Sequence, residues 1–135
     1  MGRRRILALI VVVVAIMYNS LVRLRETADG AWADVDVQLK RRHDLIPNLV
    51  ETVKGYATHE REVLDRVVGL RNRAVASTGD ASAQARDESA LLAGLKEIFA
   101  LAEAYPQLKA DGQFRELQRQ LAITEDRIAA ARRFY

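Results

Sequence analysis

The chain has 135 residues, half of them hydrophobic, with 6% aromatic residues, two prolines and no cysteine. That length holds one modest core, and a chain without thiols has no disulfide, thiolate metal site or cysteine nucleophile. The net charge is +3, which Arg3, Arg4 and Arg5 supply by themselves. The remainder is neutral and gives no electrostatic reason to expect nucleic acid as a partner.

Residues 1–5 form a basic flank, and Ile6 to Met17 follow as twelve apolar residues without a charge. Tyr18, Asn19 and Ser20 interrupt the run only mildly before Leu21, Val22 and the first charge at Arg23. Residues 6–22 make ~26 Å of helix, the short end of what crosses a ~30 Å hydrocarbon core, and Arg5 and Arg23 can snorkel to cover the difference. The valine run favours a strand in water, but in lipid the backbone must satisfy itself and helix wins. A cleaved secretory signal is the competing reading. It needs small residues just after the apolar run, where Met17, Tyr18 and Asn19 stand. The expected organisation is therefore a transmembrane anchor at 6–22 and one domain at 23–135. The Arg triplet places the amino terminus in the cytoplasm and the domain outside, by a small margin over Arg23 and Arg25.

From Leu21 the apolar residues recur at helical spacing, through Leu24, Ala28, Ala31, Trp32 and Val35 to Leu39. Anchor and first domain helix are thus expected to form one rod, weakened at Gly30 and ending near His43, because Pro47 disfavours helix before it and lacks a backbone donor. A second helix is expected from Asp44, as cap, through Leu49, Val53, Tyr56, Leu64 and Val67 to Ala74. Ser77-Thr78-Gly79-Asp80 breaks the pattern, with Gly79 as the helix-ending residue and a connection reaching as far as Ala85. A third stripe runs from Leu91 through Leu95, Ile98 and Ala102 to Tyr105 and stops at Pro106. The fourth is the most regular, with Phe114, Leu117, Leu121, Thr124, Ile128, Ala131 and Tyr135 in coiled-coil-like 3-4 steps behind a cap at Asp111. Four amphipathic helices with short connections predict an all-α fold, an N-terminal transmembrane helix followed by an antiparallel four-helix bundle. Tyr135 falls on the seam with no stop signal around it, which suggests a last helix that continues further.

Catalytic and metal motifs fail on inspection. His59-Glu60 opens a zinc-protease pattern that needs a second His where Val63 stands. Neither His43 nor His59 has the Glu three residues earlier that a di-iron bundle requires; Lys40 and Tyr56 are there instead. Carboxylates such as Glu97, Glu103 and Asp126 leave an oxygen-held divalent ion as an open alternative. Trp32 and Tyr56 lie on stripes and are expected in the core. Lys40-Arg41-Arg42-His43 is the densest basic cluster. It reads either as positive charge favouring a helix C-terminus or as a site for phosphate and lipid headgroups.

The residues also resemble a known family. Tyr18-Asn19-Ser20-Leu21-Val22, Ala31-Trp32, Asp36-Val37-Gln38-Leu39-Lys40-Arg41-Arg42, His43-Asp44-Leu45-Ile46-Pro47-Asn48-Leu49-Val50, Val53-Lys54-Gly55-Tyr56, His59-Glu60, Glu103-Ala104-Tyr105-Pro106-Gln107-Leu108-Lys109-Ala110, Glu125-Asp126-Arg127-Ile128 and Ala131-Arg132-Arg133-Phe134-Tyr135 are similar to the LemA family. The resemblance implies a bacterial single-pass membrane protein with a helical bundle that extends past Arg132-Arg133-Phe134-Tyr135. It carries over no catalytic residues, since the family's molecular function is largely unassigned. It also implies a cytoplasmic bundle, against the Arg triplet, so the side is left open with a slight lean to the outside.

The expected function is a membrane-anchored, non-enzymatic interaction or scaffold module, held in the bilayer by residues 6–22 and docking a protein partner in the membrane or envelope. It has no cofactor, small-molecule substrate or nucleic acid. The alternative is a lipid-headgroup-binding or membrane-organising protein. The candidate partner site is the corner around Pro47: Lys40, Arg41, Arg42, His43, Asp44, Pro47 and Asn48, more polar than a turn needs.

Overall fold

A computed structural model of the chain describes residues 2–77 and 79–133, and the side chains of all of these except Ala31 and Trp32. Five helices follow one another: α1 (Gly2–Lys54), α2 (Arg61–Ala76), α3 (Ala81–Ala102), α4 (Pro106–Ala110) and α5 (Gly112–Arg132). Among the described residues there is no strand.

The first helix is 53 residues long, about 80 Å at the usual rise. It is the one described helix long and apolar enough to cross a membrane. Ile6 to Leu24 touch nothing and expose their apolar side chains. Burial begins at Val35 and Leu39 and continues through Ile46, Leu49, Val50 and Val53. The steps 35-39-42-46-49-53 form one stripe in 4-3-4-3-4 spacing, the face that a helix packs against neighbours. The exposed apolar stretch and the inner face of the bundle are therefore two stretches of one helix.

The helix does not end near His43, as the proline rule predicted. It runs through Pro47 for about two more turns, to Lys54. Pro47 has no N–H to give the carbonyl of His43, four residues back. That carbonyl instead accepts from Nε of Arg71 on α2, at 3.1 Å. The orphan is satisfied by tertiary structure, so the local rule loses. Asp44 consequently has no helix start to cap; it and Asn48 are exposed on the rod. The true break comes later, at Gly55–Glu60, where the amides of Tyr56 and Ala57 both turn back to the carbonyl of Val53. Ala57 plugs the core at that turn, and Tyr56, expected inside, lies exposed.

The remaining helices return antiparallel. On α2, Leu64 and Val67 are buried, and Arg71 reaches the level of His43. The turn at Ser77–Asp80 is shorter than expected: Asp80 caps α3 by accepting from the amide of Ala83 at 2.7 Å, so 81–85 are already helical. Gly79 is not a left-handed stop, since no described glycine has positive φ. Leu91, Leu95, Ile98 and Ala102 bury the inner face of α3. At Gly94 that face meets α2 so closely that an added Cβ would sit 3.0 Å from Leu70 and 3.2 Å from Val67. Pro106 does not merely stop this helix; it opens the one-turn α4, whose Leu108 is fully buried. Asp111 then caps α5 through the amide of Phe114 at 2.9 Å, as its sequence position predicted. Every described residue of the α5 seam, Phe114 to Ala131, is buried, Thr124 included, whose hydroxyl bonds back to the carbonyl of Leu121. Tyr135 lies outside the described residues.

The result is the expected antiparallel bundle of four long helices, with α5 lying along α1 and α2 between α1 and α3. A large core joins Ile46 to Ala57 with Leu64, Val67, Leu91, Leu95, Ile98, Leu108 and Phe114 to Leu121. Phe99 meets Phe114 edge to face, centroids 6.1 Å apart. A smaller core of Val35, Leu39, Ile128 and Ala131 lies nearer the anchor.

Candidate functional site

Between the two apolar clusters lies a polar layer. Arg42 interrupts the α1 stripe between Leu39 and Ile46, Glu88 precedes Leu91 on α3, and Thr124 separates Leu121 from Ile128 on α5. All three, with Gln38, are buried. Arg42 donates from Nη1 to Oε2 of Glu88 at 3.3 Å, and Nε2 of His43 lies 2.6 Å from Oε1 of the same carboxylate. Glu88 is thus clamped by two neighbours on one turn of α1. The side-chain exposures are 5% for Arg42 and 4% for Glu88, so neither charge has water to fall back on. The Oε1 of Gln38 is buried without a partner.

The seven residues expected to form one corner therefore divide. Arg42 and His43 point inward to Glu88, while Lys40, Arg41, Asp44, Pro47 and Asn48 are exposed along an uninterrupted helix. There is no corner, because the helix does not turn. Nor is the basic run a helix C-terminus, since eleven residues of helix follow His43. Lys40 and Arg41 stand about 27 Å of helix beyond Val22.

Glu88 and Arg71 complete this region and were not expected there. The signal for Glu88 was present: 88-91-95-98-102 is a stripe in 3-4-3-4 steps, and an acid on it answers the Arg at 42 on the α1 stripe. Nothing local signals Arg71.

Chemically the layer centres on the Glu88 carboxylate, contacted by the Arg42 guanidinium and the His43 imidazole. The carboxylate is engaged by both the guanidinium and the imidazole. Among the described residues no three His, Cys, Asp or Glu side chains converge as metal ligands. Glu97 pairs with Arg66 at 3.0 Å and Glu103 with Lys109 at 2.7 Å, both at the surface.

A second polar contact sits at the opposite end of the bundle from the anchor. The Tyr56 hydroxyl donates to Oδ2 of Asp111 at 2.6 Å. That bond, with the Phe114 amide behind it, holds the Asp111 carboxyl below its usual range; the same bond raises the Tyr56 phenol. The depressed acid stabilises the fold above its unfolded pKa and loses that effect as pH falls through the folded value. The raised phenol stabilises below its unfolded pKa and loses it as pH rises through the folded value. The link is therefore intact between about pH 4 and 10. Tyr56→Phe should lower Tm across that window, with the gap to wild type narrowing at both ends. Thermal melts from pH 2.5 to 11 check it; a gap constant through acid would show that the hydroxyl does not read the ionisation of Asp111.

Residues 31–135 match the family model of the LemA family. No curated protein matches the chain. The family match and the apolar helix at the amino end together fit a membrane-associated helical protein.

Proposed function

We propose that this chain, which belongs to the LemA family, is a membrane-anchored, non-enzymatic module that docks a protein partner through its bundle. The observation that carries the reading is the continuity of α1. One helix supplies both the exposed apolar stretch and, from Val35 on, a core stripe of the bundle. A domain built on the same rod as its anchor is held off the bilayer at a set distance and orientation. The buried Glu88 carboxylate is taken up by Arg42 and His43, which fits a structural layer within the bundle.

The partner surface is the outer face of α1 at Lys40, Arg41, Asp44, Pro47 and Asn48, all exposed and none needed by the core. A photo-crosslinking amino acid at position 40 or 48 should give one discrete protein adduct in membranes. Lys40→Glu with Arg41→Glu should reduce that adduct severalfold while leaving stability within about 0.5 kcal/mol. No adduct, or lipid adducts alone, would reject the partner. Lipid headgroups are the weaker reading: a height of ~27 Å exceeds the ~8 Å screening length at physiological salt severalfold.

The full chain should resist alkaline washing of membranes and yield only to detergent. We place the bundle outside the cytoplasm, on the weight of Arg3, Arg4 and Arg5. With no native cysteine, Ser82→Cys on the exposed first turn of α3 reports this alone. An impermeant maleimide should label it in intact cells; labelling only after lysis would put the bundle inside.

A further inference from the structure

The end of the bundle away from the anchor carries a cleft that the docking role does not use. Tyr56, Ala104, Tyr105, Pro106 and Gln107 line it, and its volume is about 310 Å³. Two structural details give it a chemical character. Both tyrosine hydroxyls are tied to carboxylates, Tyr56 to Asp111 at 2.6 Å and Tyr105 to Glu60 at 3.3 Å. The rings are therefore held in place before any guest arrives, and a phenol that donates to a carboxylate has a more electron-rich ring. Among the described residues, neither Asp111 nor Glu60 lies in an ion pair. The cleft thus combines fixed aromatic surface with two carboxylates close behind it, one of which also caps α5. An anion is repelled there, and a small, strongly hydrated cation gains little from an aromatic wall. A bulky organic cation matches both features, since it loses little hydration and the faces of tyrosine attract it.

We propose that the cleft between Tyr56 and Tyr105 binds an organic cation of the quaternary ammonium or guanidinium type. The guest is either a free small molecule or the side chain of a protein. Burial and Glu60 also raise the Tyr105 phenol, as Asp111 does that of Tyr56, so both hydroxyls stay protonated donors at neutral pH.

The test uses the full chain in lipid nanodiscs, labelled with 3-fluorotyrosine. Its four tyrosines give separate fluorine signals, with Tyr18 and Tyr135 as internal controls. Choline should shift Tyr56 and Tyr105 saturably. Its uncharged isostere, 3,3-dimethyl-1-butanol, should bind about three- to fivefold more weakly, the scale of a cation–π contact at an exposed site. N-acetyl-arginine amide forms the second arm: tighter binding than choline points to a protein side chain, weaker binding to a free amine, and either supports the cleft. Tyr105→Leu should abolish the response at Tyr56. Equal response to choline and its isostere, or no saturable shift in the unmutated chain, overturns the proposal without recourse to any variant. The result is independent of whether the outer face of α1 docks a partner.

Discussion

Glu88→Leu should destabilise the bundle by about 3–5 kcal/mol, the usual cost of leaving a buried charge without its partner. Arg42 would keep a guanidinium at 5% exposure with no carboxylate, and His43 would lose its 2.6 Å contact. Arg42 cannot swing to solvent without vacating its place on the α1 stripe. Replacing all three, with Arg42→Met, His43→Leu and Glu88→Leu, should restore stability to wild type or exceed it by about 1–4 kcal/mol, because the desolvation cost disappears with the charges. Glu97→Leu is the control. Its pair with Arg66 is about half exposed on both sides, so the change should cost under about 1 kcal/mol. Denaturant unfolding followed by helical signal measures all three. If Glu88→Leu costs no more than Glu97→Leu, water reaches Arg42 and the layer is not sealed. If the triple variant is stable but its helices slip, the layer's contribution is alignment, holding α1 and α3 level where Arg42 and His43 meet Glu88.

That layer shows where reading the chain succeeds and where it stops. The stripes gave the helices because 3-4 spacing is a local property: Phe114 to Ala131 is buried position by position as spaced. The cap at Asp111 was equally local, one side chain reaching an amide three residues on. Glu88 was legible in principle, as an acid on one apolar stripe facing a base on another. Reading Lys40 to His43 as a single cluster hid it. A helix separates neighbours by about 100°, so the run divides into an inner pair and an outer pair. The turn at Gly55–Glu60 was invisible for a different reason. Val53, Ala57 and Leu64 keep helical phase across it, since all three enter the same core, and neither proline nor a left-handed glycine marks the spot. The one-turn α4 was hidden because Pro106 reads as a stop and serves here as a start. Function was the least legible. The family match and the apolar stretch fit a membrane-associated helical protein, while the docking face proposed above is made of residues that the fold does not constrain.

Pro47 and Arg71 should prove strongly coupled. Arg71→Leu alone should cost about 1–3 kcal/mol, because it removes the donor that the His43 carbonyl has in place of the absent proline N–H. Pro47→Ala alone should stabilise the protein, by up to about 3 kcal/mol, through restoring the missing hydrogen bond and removing the ring's clash with the preceding turn. The greater freedom of alanine in the unfolded chain offsets part of that, about 0.4–1 kcal/mol. In the Pro47→Ala background the His43 carbonyl has its own helical donor, so Arg71→Leu should lose most of its effect, giving an interaction energy near 1 kcal/mol or more. Additivity within about 0.5 kcal/mol would mean that Arg71 matters for packing and that the proline is tolerated without it. The consequence for the proposed role is mechanical. With Arg71 removed and Pro47 kept, α1 is weakest in the middle of the bundle rather than at its membrane end. Amide exchange should then quicken around His43 while the anchor stretch stays unchanged. The donor that the proline withholds from the His43 carbonyl comes instead from a neighbouring helix, and α1 continues through Pro47 to Lys54.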